Sequence, residues 1–279
     1  MQRHTSTRIG AILVTVCGLA GLLAVAGPLA RAEEKPRTLL AVFAHPDDEQ
    51  AIMPLMSRYA REGVDVYLAI ATDGQKGVRE HSGILAGEAL ATARAEEARC
   101  ACRTLGIHPP ILIGLVDGEL YREENKAALL KEVARLFAEL RPDAVITWGP
   151  DGVTGHTDHR LVSSVVTQVF QSEEGKAAGQ LFYTGLPAER LEALADLGTP
   201  AASGTPLGFA TVQGRYLPVR ITYQEEDGKL AGEALACHKT QYTPEEMARM
   251  SGMARAFEDG AVHLRPWFVD TEPITDLFE

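Results

Sequence analysis

The chain has 279 residues, 46% of them hydrophobic and 23% charged, a balance that excludes a disordered tail, a collagen-like fibre or a long charged coil. A net charge of −11 and a pI near 5.3 exclude nucleic acid as a main partner, because a surface that tracks phosphates needs clustered Lys and Arg. With a leader set aside, the length gives one large domain, or one domain with an elaboration.

The leader is residues 1–32. Arg3 and Arg8 give a positive start, Ile9 to Gly27 is almost wholly apolar, and Ala30-Arg31-Ala32 is a small-residue cleavage site before Glu33-Glu34-Lys35. The expectation is a signal peptide cut after Ala32 and an exported mature chain, secreted or periplasmic, with no stable membrane span. The alternative is a membrane anchor by an uncleaved leader, since the apolar run is close to the minimum for a span. Cys17 leaves with the leader. Cys100, Cys102 and Cys237 remain, too few for a closed disulfide framework. Cys100 and Cys102 do not face each other on a helix, so the expectation is buried or free thiols. Export would permit one bridge to Cys237, although nothing in the sequence calls for it.

Thr38 to Ala44 reads as a buried strand. It runs into His45-Pro46-Asp47-Asp48-Glu49, one imidazole and three carboxylates at a strand-to-helix turn. Pro46 suits the first turn of the helix that follows, which runs to about Arg61 and stops at Glu62-Gly63. Packing gives no reason to gather three acids there, and a divalent metal is the economical answer to their repulsion. Val64 to Thr72 is a second strand, ending on Asp73-Gly74, and Gln75 to Ile84 is an irregular loop. Ala86 to Leu105 is a helix stopped by Gly106, and Ile111 to Leu115 is a third strand followed by Asp117-Gly118. Glu123 to Leu140 places Leu129, Leu130, Val133, Leu136, Phe137 and Leu140 on one helical face. Ala144 to Trp148 is a fourth strand. A glycine-rich loop, Gly149 to Gly155, then leads to His156-Thr157-Asp158-His159 and a helix to about Phe170.

This alternation predicts the α/β class, a Rossmann-like, mostly parallel sheet with helices on both faces and a smaller C-terminal elaboration. Past Gln171 the pattern weakens. Leu181 to Thr184, Leu217 to Tyr223 and Val262 to Val269 read as strands, Lys229 to Thr240 and Pro244 to Phe257 as helices. Pro187 to Pro206 reads as a long surface excursion.

His156 and His159 can share a helix face, and their turn lies on the same sheet edge as His45. That carboxyl edge is where open α/β sheets bind ligands. Singly, a loop histidine is a solvated side chain and an Asp before a helix is an N-cap. Jointly, two imidazoles and a carboxylate with one open position make a catalytic zinc set.

The pair His45-Pro46-Asp47-Asp48-Glu49 and His156-Thr157-Asp158-His159 resembles the signature of the PIG-L/LmbE-like zinc-dependent N-acetylglucosamine deacetylases. The likeness runs from Thr38 to about Gln171 and resumes at Cys237-His238-Lys239-Thr240-Gln241. It implies a single domain over 33–279, with a core at about 37–171 and a substrate-shaping part at about 172–279. It implies that His45, Asp48 and His159 hold Zn2+, with Fe2+, Co2+ or Mn2+ open to the same donor set. Asp47 then matches the general base, and His156 the group that meets the oxyanion or protonates the leaving amine. Asp158 matches the carboxylate that hydrogen-bonds and orients His156. Arg94 falls at a family signature and is assigned a substrate contact, with a surface ion pair to Glu97 as its alternative. His238 is a further candidate substrate contact. The implied activity is exported, metal-dependent removal of an N-acetyl group from an N-acetylglucosamine-type sugar or glycoconjugate. The alternatives are a metal hydrolase of another amide or ester and a non-catalytic sugar-binding relative. The expected partner is a small-molecule or glycan substrate, and the sequence carries no signal for an oligomer.

Overall fold

The computed structural model describes residues 35–188, 210–249, 260–268 and 274–278. The leader lies outside them, as do nearly all of the Pro187–Pro206 excursion and residues 250–257 of the last expected helix.

Strand β1, Thr38–Phe43, is buried along its whole length, as its unbroken apolar run requires of a central strand covered on both faces. It pairs in parallel with β2 (Asp65–Thr72) on one side and β4 (Ala144–Thr147) on the other. With β3 (Ile111–Leu115), β5 (Gln180–Thr184), β8 (Val219–Thr222) and β9 (Ala261–Pro266) they form one seven-stranded sheet of order β3-β2-β1-β4-β5-β9-β8. The first five strands by sequence are parallel, whereas β9 runs antiparallel to β5 and β8. A separate two-stranded pair joins β6 (Leu186–Pro187) to β7 (Thr211–Val212).

Because strand side chains alternate, β1 feeds two cores. Leu39, Ala41 and Phe43 pack with helix α1 (Met53–Arg61), helix α2 (Glu88–Leu105) and helix α5 (Glu225–Leu235). Leu40, Val42 and Ala44 pack with helix α3 (Glu123–Leu140) and helix α4 (Thr157–Phe170). The strand order reverses at the β1–β4 pair, so the crevice beyond their carboxyl ends is the switch point where such sheets bind ligands. Among the described residues no helix is long and apolar enough to cross a membrane.

Three expectations are corrected. Pro46 opens no helix: Asp48–Ala51 forms one 3-10 turn, and α1 starts at Met53 with Pro54 in its first turn. The expected Lys229–Thr240 helix instead starts at Glu225 and ends at Leu235. Its true start was hidden because Gln224 and Asp227 cap it reciprocally without the usual Ser/Thr-x-x-Glu pattern, and Gly228 and Gly232 dilute its helical character. Finally, Cys100 and Cys237 form a disulfide with their Cα atoms 5.8 Å apart, so among the described residues Cys102 is the one free, buried thiol. That bridge needs the α2–α5 packing, which no local spacing reveals.

Asp227 fastens α5 to α1. Its buried carboxylate accepts from Arg61 Nε at 3.2 Å and Nη2 at 2.8 Å, from Ser57 Oγ at 3.3 Å and from the Gln224 N–H at 2.9 Å. Burial raises its carboxyl, but Arg61 and the Gln224 N–H outweigh burial and lower it. Asp227→Ala is expected to destabilise the fold by about 3 kcal/mol, because several donors lose a buried charged acceptor. The depressed value means this stability is complete above the unfolded carboxylate pKa of about 3.9 and is lost as pH falls through the folded value. Urea unfolding of both proteins at neutral and acidic pH checks it, the gap between them closing in acid.

Candidate metal and catalytic site

The ends of β1 and β4 bring His45, Asp48 and His159 together. His45 Nδ1 lies 3.1 Å from His159 Nε2, His159 Nε2 lies 3.4 Å from Asp48 Oδ1, and His45 Nδ1 lies 3.5 Å from Asp48 Oδ2. Donor atoms tetrahedrally placed about 2.05 Å from a zinc ion stand roughly 3.3 Å apart, and the two imidazole nitrogens stand close to that spacing, with Asp48 turning Oδ1 to His159 and Oδ2 to His45.

The surrounding bonds aim each donor. His159 Nδ1 lies 2.9 Å from the Gly152 carbonyl, which accepts its proton and leaves Nε2 as a lone-pair donor. The Trp148 ring stacks on His159, with centroids 4.3 Å apart. Asp48 Oδ2 accepts from the N–H groups of Ala44 and His45 at 3.0 and 2.8 Å and from Trp148 Nε1 at 3.1 Å. Burial would raise the Asp48 carboxyl, but His159 and His45 outweigh it and hold it well below the usual range. His45 Nε2, on the far side of its ring, is buried 3.2 Å from Asp117 Oδ1 and 3.5 Å from Asp158 Oδ2, off the line of a hydrogen bond to either. These carboxylates keep the proton on Nε2 and the lone pair on Nδ1, the arrangement of a carboxylate-backed metal ligand. Burial also opposes ionisation of Asp117, yet His45 and the Lys76 N–H bring it down to about 2.

Asp47 stands before the 3-10 turn with φ at 103°, a left-handed conformation that side chains rarely adopt. Its N–H donates to Glu49 Oε2 at 2.9 Å, and Glu49 Oε1 lies 2.7 Å from His238 Nε2. Its carboxylate accepts from Arg94 Nη2 at 3.0 Å on Oδ1 and from the Tyr242 hydroxyl at 3.2 Å on Oδ2. Arg94 Nη2 also donates to the Pro46 carbonyl and Nη1 to the Gly74 carbonyl. A Cβ at Gly74 would stand 2.6 Å from Arg94 Nη1, so glycine there admits the guanidinium. Burial outweighs Arg94 and, with Asp48 and Glu49 adding repulsion, pushes the Asp47 carboxyl up to about 6, suited to taking a proton near neutral pH.

His156 is the exposed N-cap of α4, its Nδ1 accepting the Asp158 N–H at 3.1 Å, with its ring edge-on to His45 at 4.7 Å. Burial and the neighbouring His45 and His159 lower its pKa. Ligand atoms of His45, His156 and His159 all lie within 4.8 Å of one another, as do those of His45, Asp117 and Asp158.

The expected residues therefore converge, with changed duties for three. The Asp158 carboxylate accepts from the Gly118 and Leu120 N–H groups at 2.7 and 3.3 Å and faces His45; only its backbone N–H holds His156. Arg94 is 3% exposed and His238 0%, so both support Asp47 from behind and neither reaches a substrate. The Arg94–Glu97 surface pair is likewise absent: Glu97 is buried and accepts from Thr240. Trp148 and Tyr242 were missed, and Glu49, quoted in the acidic turn, was given no role there. Trp148 ends the fourth expected strand, whereas Tyr242 reaches Asp47 across 195 positions and left no local signal.

The sheet and its edge define an α/β protein with a cation-competent, two-imidazole and one-carboxylate site at the switch point. Residues 40–170 match the family described as PIG-L, GlcNAc-PI de-N-acetylase. The 1D-myo-inositol 2-acetamido-2-deoxy-alpha-D-glucopyranoside deacetylase of Saccharomonospora viridis is 30% identical over 252 residues, 78% of this chain and 90% of that one. Deacetylase 2 of the same description from Catenulispora acidiphila is 35% identical over 172 residues, 51% of this chain. The match spans only 54% of that relative's length. The chain belongs to the PIG-L deacetylase family. Among solved structures it is similar to the N,N'-diacetylchitobiose deacetylase of Pyrococcus horikoshii, with TM-score 0.59, 20% identity and coverage of 82% of this chain and 83% of that one. It is also similar to the 4-carboxy-2-hydroxymuconate hydratase GalB of Pseudomonas putida, with TM-score 0.56, 14% identity and coverage of 85% and 98%. At these identities the likeness shows the fold alone, and that fold is the expected mostly parallel sheet.

Proposed function

We propose that this chain is an exported, zinc-dependent hydrolase that removes the N-acetyl group from an N-acetylglucosamine-type sugar or glycoconjugate. The observation that carries the reading is the convergence of His45, Asp48 and His159, each imidazole nitrogen 3.1 Å from the other and 3.4 to 3.5 Å from one Asp48 oxygen, with Asp47 beside them. A divalent cation held by these three side chains supplies Lewis acidity and lowers the pKa of water toward about 7.

The chain's own groups do the rest. Asp47 takes the proton of the attacking water on its carboxylate, which Arg94 and Tyr242 hold in one orientation. His156, open to solvent, faces the oxyanion and passes a proton to the departing nitrogen. Asp117 and Asp158 anchor His45 from behind. The activities after which the relatives are named supply the substrate class, an acetamido sugar on inositol or in a chitobiose unit. The Cys100–Cys237 bridge supports export, because such bonds persist in oxidising compartments.

The mature chain is expected to release acetate from N-acetylglucosaminyl-inositol or diacetylchitobiose, to stop after chelator treatment and to resume on added Zn2+. Acetate release that ignores the chelator would sink the metal-dependent reading. Release from acetyl esters but from no acetamido sugar would sink the substrate class.

A further inference from the structure

Residues 236–243, between α5 and the helical stretch 244–249, form turns with no repeating backbone ladder. This short segment nevertheless builds much of the wall behind Asp47. His238 holds Glu49, which holds the Asp47 N–H. The Thr240 N–H and hydroxyl both donate to Glu97 of α2 at 2.7 Å, and Gln241 Nε2 donates to the Gly77 carbonyl at 3.0 Å. The Tyr242 hydroxyl accepts from Gln50 Nε2 at 2.7 Å and so turns its own proton to Asp47 Oδ2. The other carboxylate oxygen is held by Arg94, which also comes from α2. Helix α2 and this turn thus grip Asp47 from two sides, and the Cys100–Cys237 bridge joins them covalently, one residue before His238.

We infer that the Cys100–Cys237 bridge is a positioning element for the reaction: intact, it presses the 236–243 turn onto α2 and fixes Asp47; reduced, it lets the turn and Asp47 drift, and turnover falls while the cation stays bound. The inference rests on the reading of Asp47 as the base. Each grip on Asp47 from the turn is a side-chain contact, so the tether at 237 sets how often those groups are in place together. A displacement of this kind lowers the chemical step far more than binding. With a phosphine reductant the change balances: the S–S bond breaks, thiols form at 100 and 237, and water supplies both protons and the oxygen of the phosphine oxide.

The test uses the mature, Zn2+-loaded chain in a Cys102→Ala background, so that reduction is read as two new thiols. It is treated with tris(2-carboxyethyl)phosphine well below its unfolding temperature. Expected are a fall in kcat of about tenfold or more, a KM changed by less than about twofold, and unchanged zinc content. Hydrogen exchange should quicken in peptides covering 45–50 and 236–243 and stay as it was elsewhere. Tyr242→Phe, which cuts one grip and leaves the bridge whole, should lower kcat and shrink the further loss on reduction. Two new thiols with unchanged kcat would overturn the inference. So would zinc loss in step with activity, unchanged exchange at 45–50, or exchange that quickens across the whole chain. If the oxidised protein released acetate from no acetamido sugar, the deacetylase reading would fall, while exchange at 45–50 would still decide whether the bridge steadies Asp47.

Discussion

Asp47→Asn is expected to lower kcat by about 10²- to 10⁴-fold, the usual contribution of a positioned general base, with zinc content unchanged. The substitution keeps the shape of the side chain and removes its capacity to take a proton. Arg94 keeps its bonds to the Pro46 and Gly74 carbonyls, and the Asn amide oxygen can replace the acceptor it loses, so its donors stay satisfied. Asn also tolerates the positive φ at this position better than most residues. Folding stability should therefore hold steady or rise as activity disappears, the trade expected where a buried carboxylate is kept for chemistry. Steady-state kinetics, metal analysis and a melting curve on one preparation check all three. Activity within about threefold of the parent, far inside the expected loss, would remove Asp47 from the reaction.

Asp48→Ala is expected to abolish both metal retention and turnover. Groups that merely support a metal ligand cost about 10- to 100-fold in affinity when removed, so losing one of three donors costs more. The same carboxylate also satisfies the Ala44 and His45 N–H groups and Trp148 Nε1, so the apoprotein should lose about 2 kcal/mol as well. Zinc separates the two effects. A hundredfold excess over Kd stabilises a binding-competent protein by about 2.7 kcal/mol, so the parent's Tm should climb on titration and the variant's should stay flat. A variant whose Tm climbs like the parent's would show that the cation is held by other groups, such as the His45, His156 and His159 set.

The sheet was legible in the sequence because its central strands are unbroken apolar runs ending in turn residues. Helix Glu123–Leu140 was legible because its apolar residues from Leu129 to Leu140 recur at helical spacing and Arg141-Pro142-Asp143 breaks it. The cation site was legible because each half is local: His45 and Asp48 lie in one turn, His156 and His159 in another. The groups that steady the base were not. Glu49 with His238, Asp47 with Tyr242 and Cys100 with Cys237 lie 189, 195 and 137 positions apart, and nothing near either partner marks the pairing. The same blindness made Arg94 read as a surface or substrate residue: a long cation on an Ala-rich helix looks solvated until the loop glycines that receive it are in place.

The two imidazoles of the candidate site come from positions 45 and 159, 114 residues apart, and they meet only because β4 docks beside β1. An N-terminal fragment ending before β4 has a single donor turn and little avidity for metal. Pairings between such distant positions form late and slowly. A cation taken up by these residues would therefore arrive as a finishing step, once the two strands that carry its donors have docked.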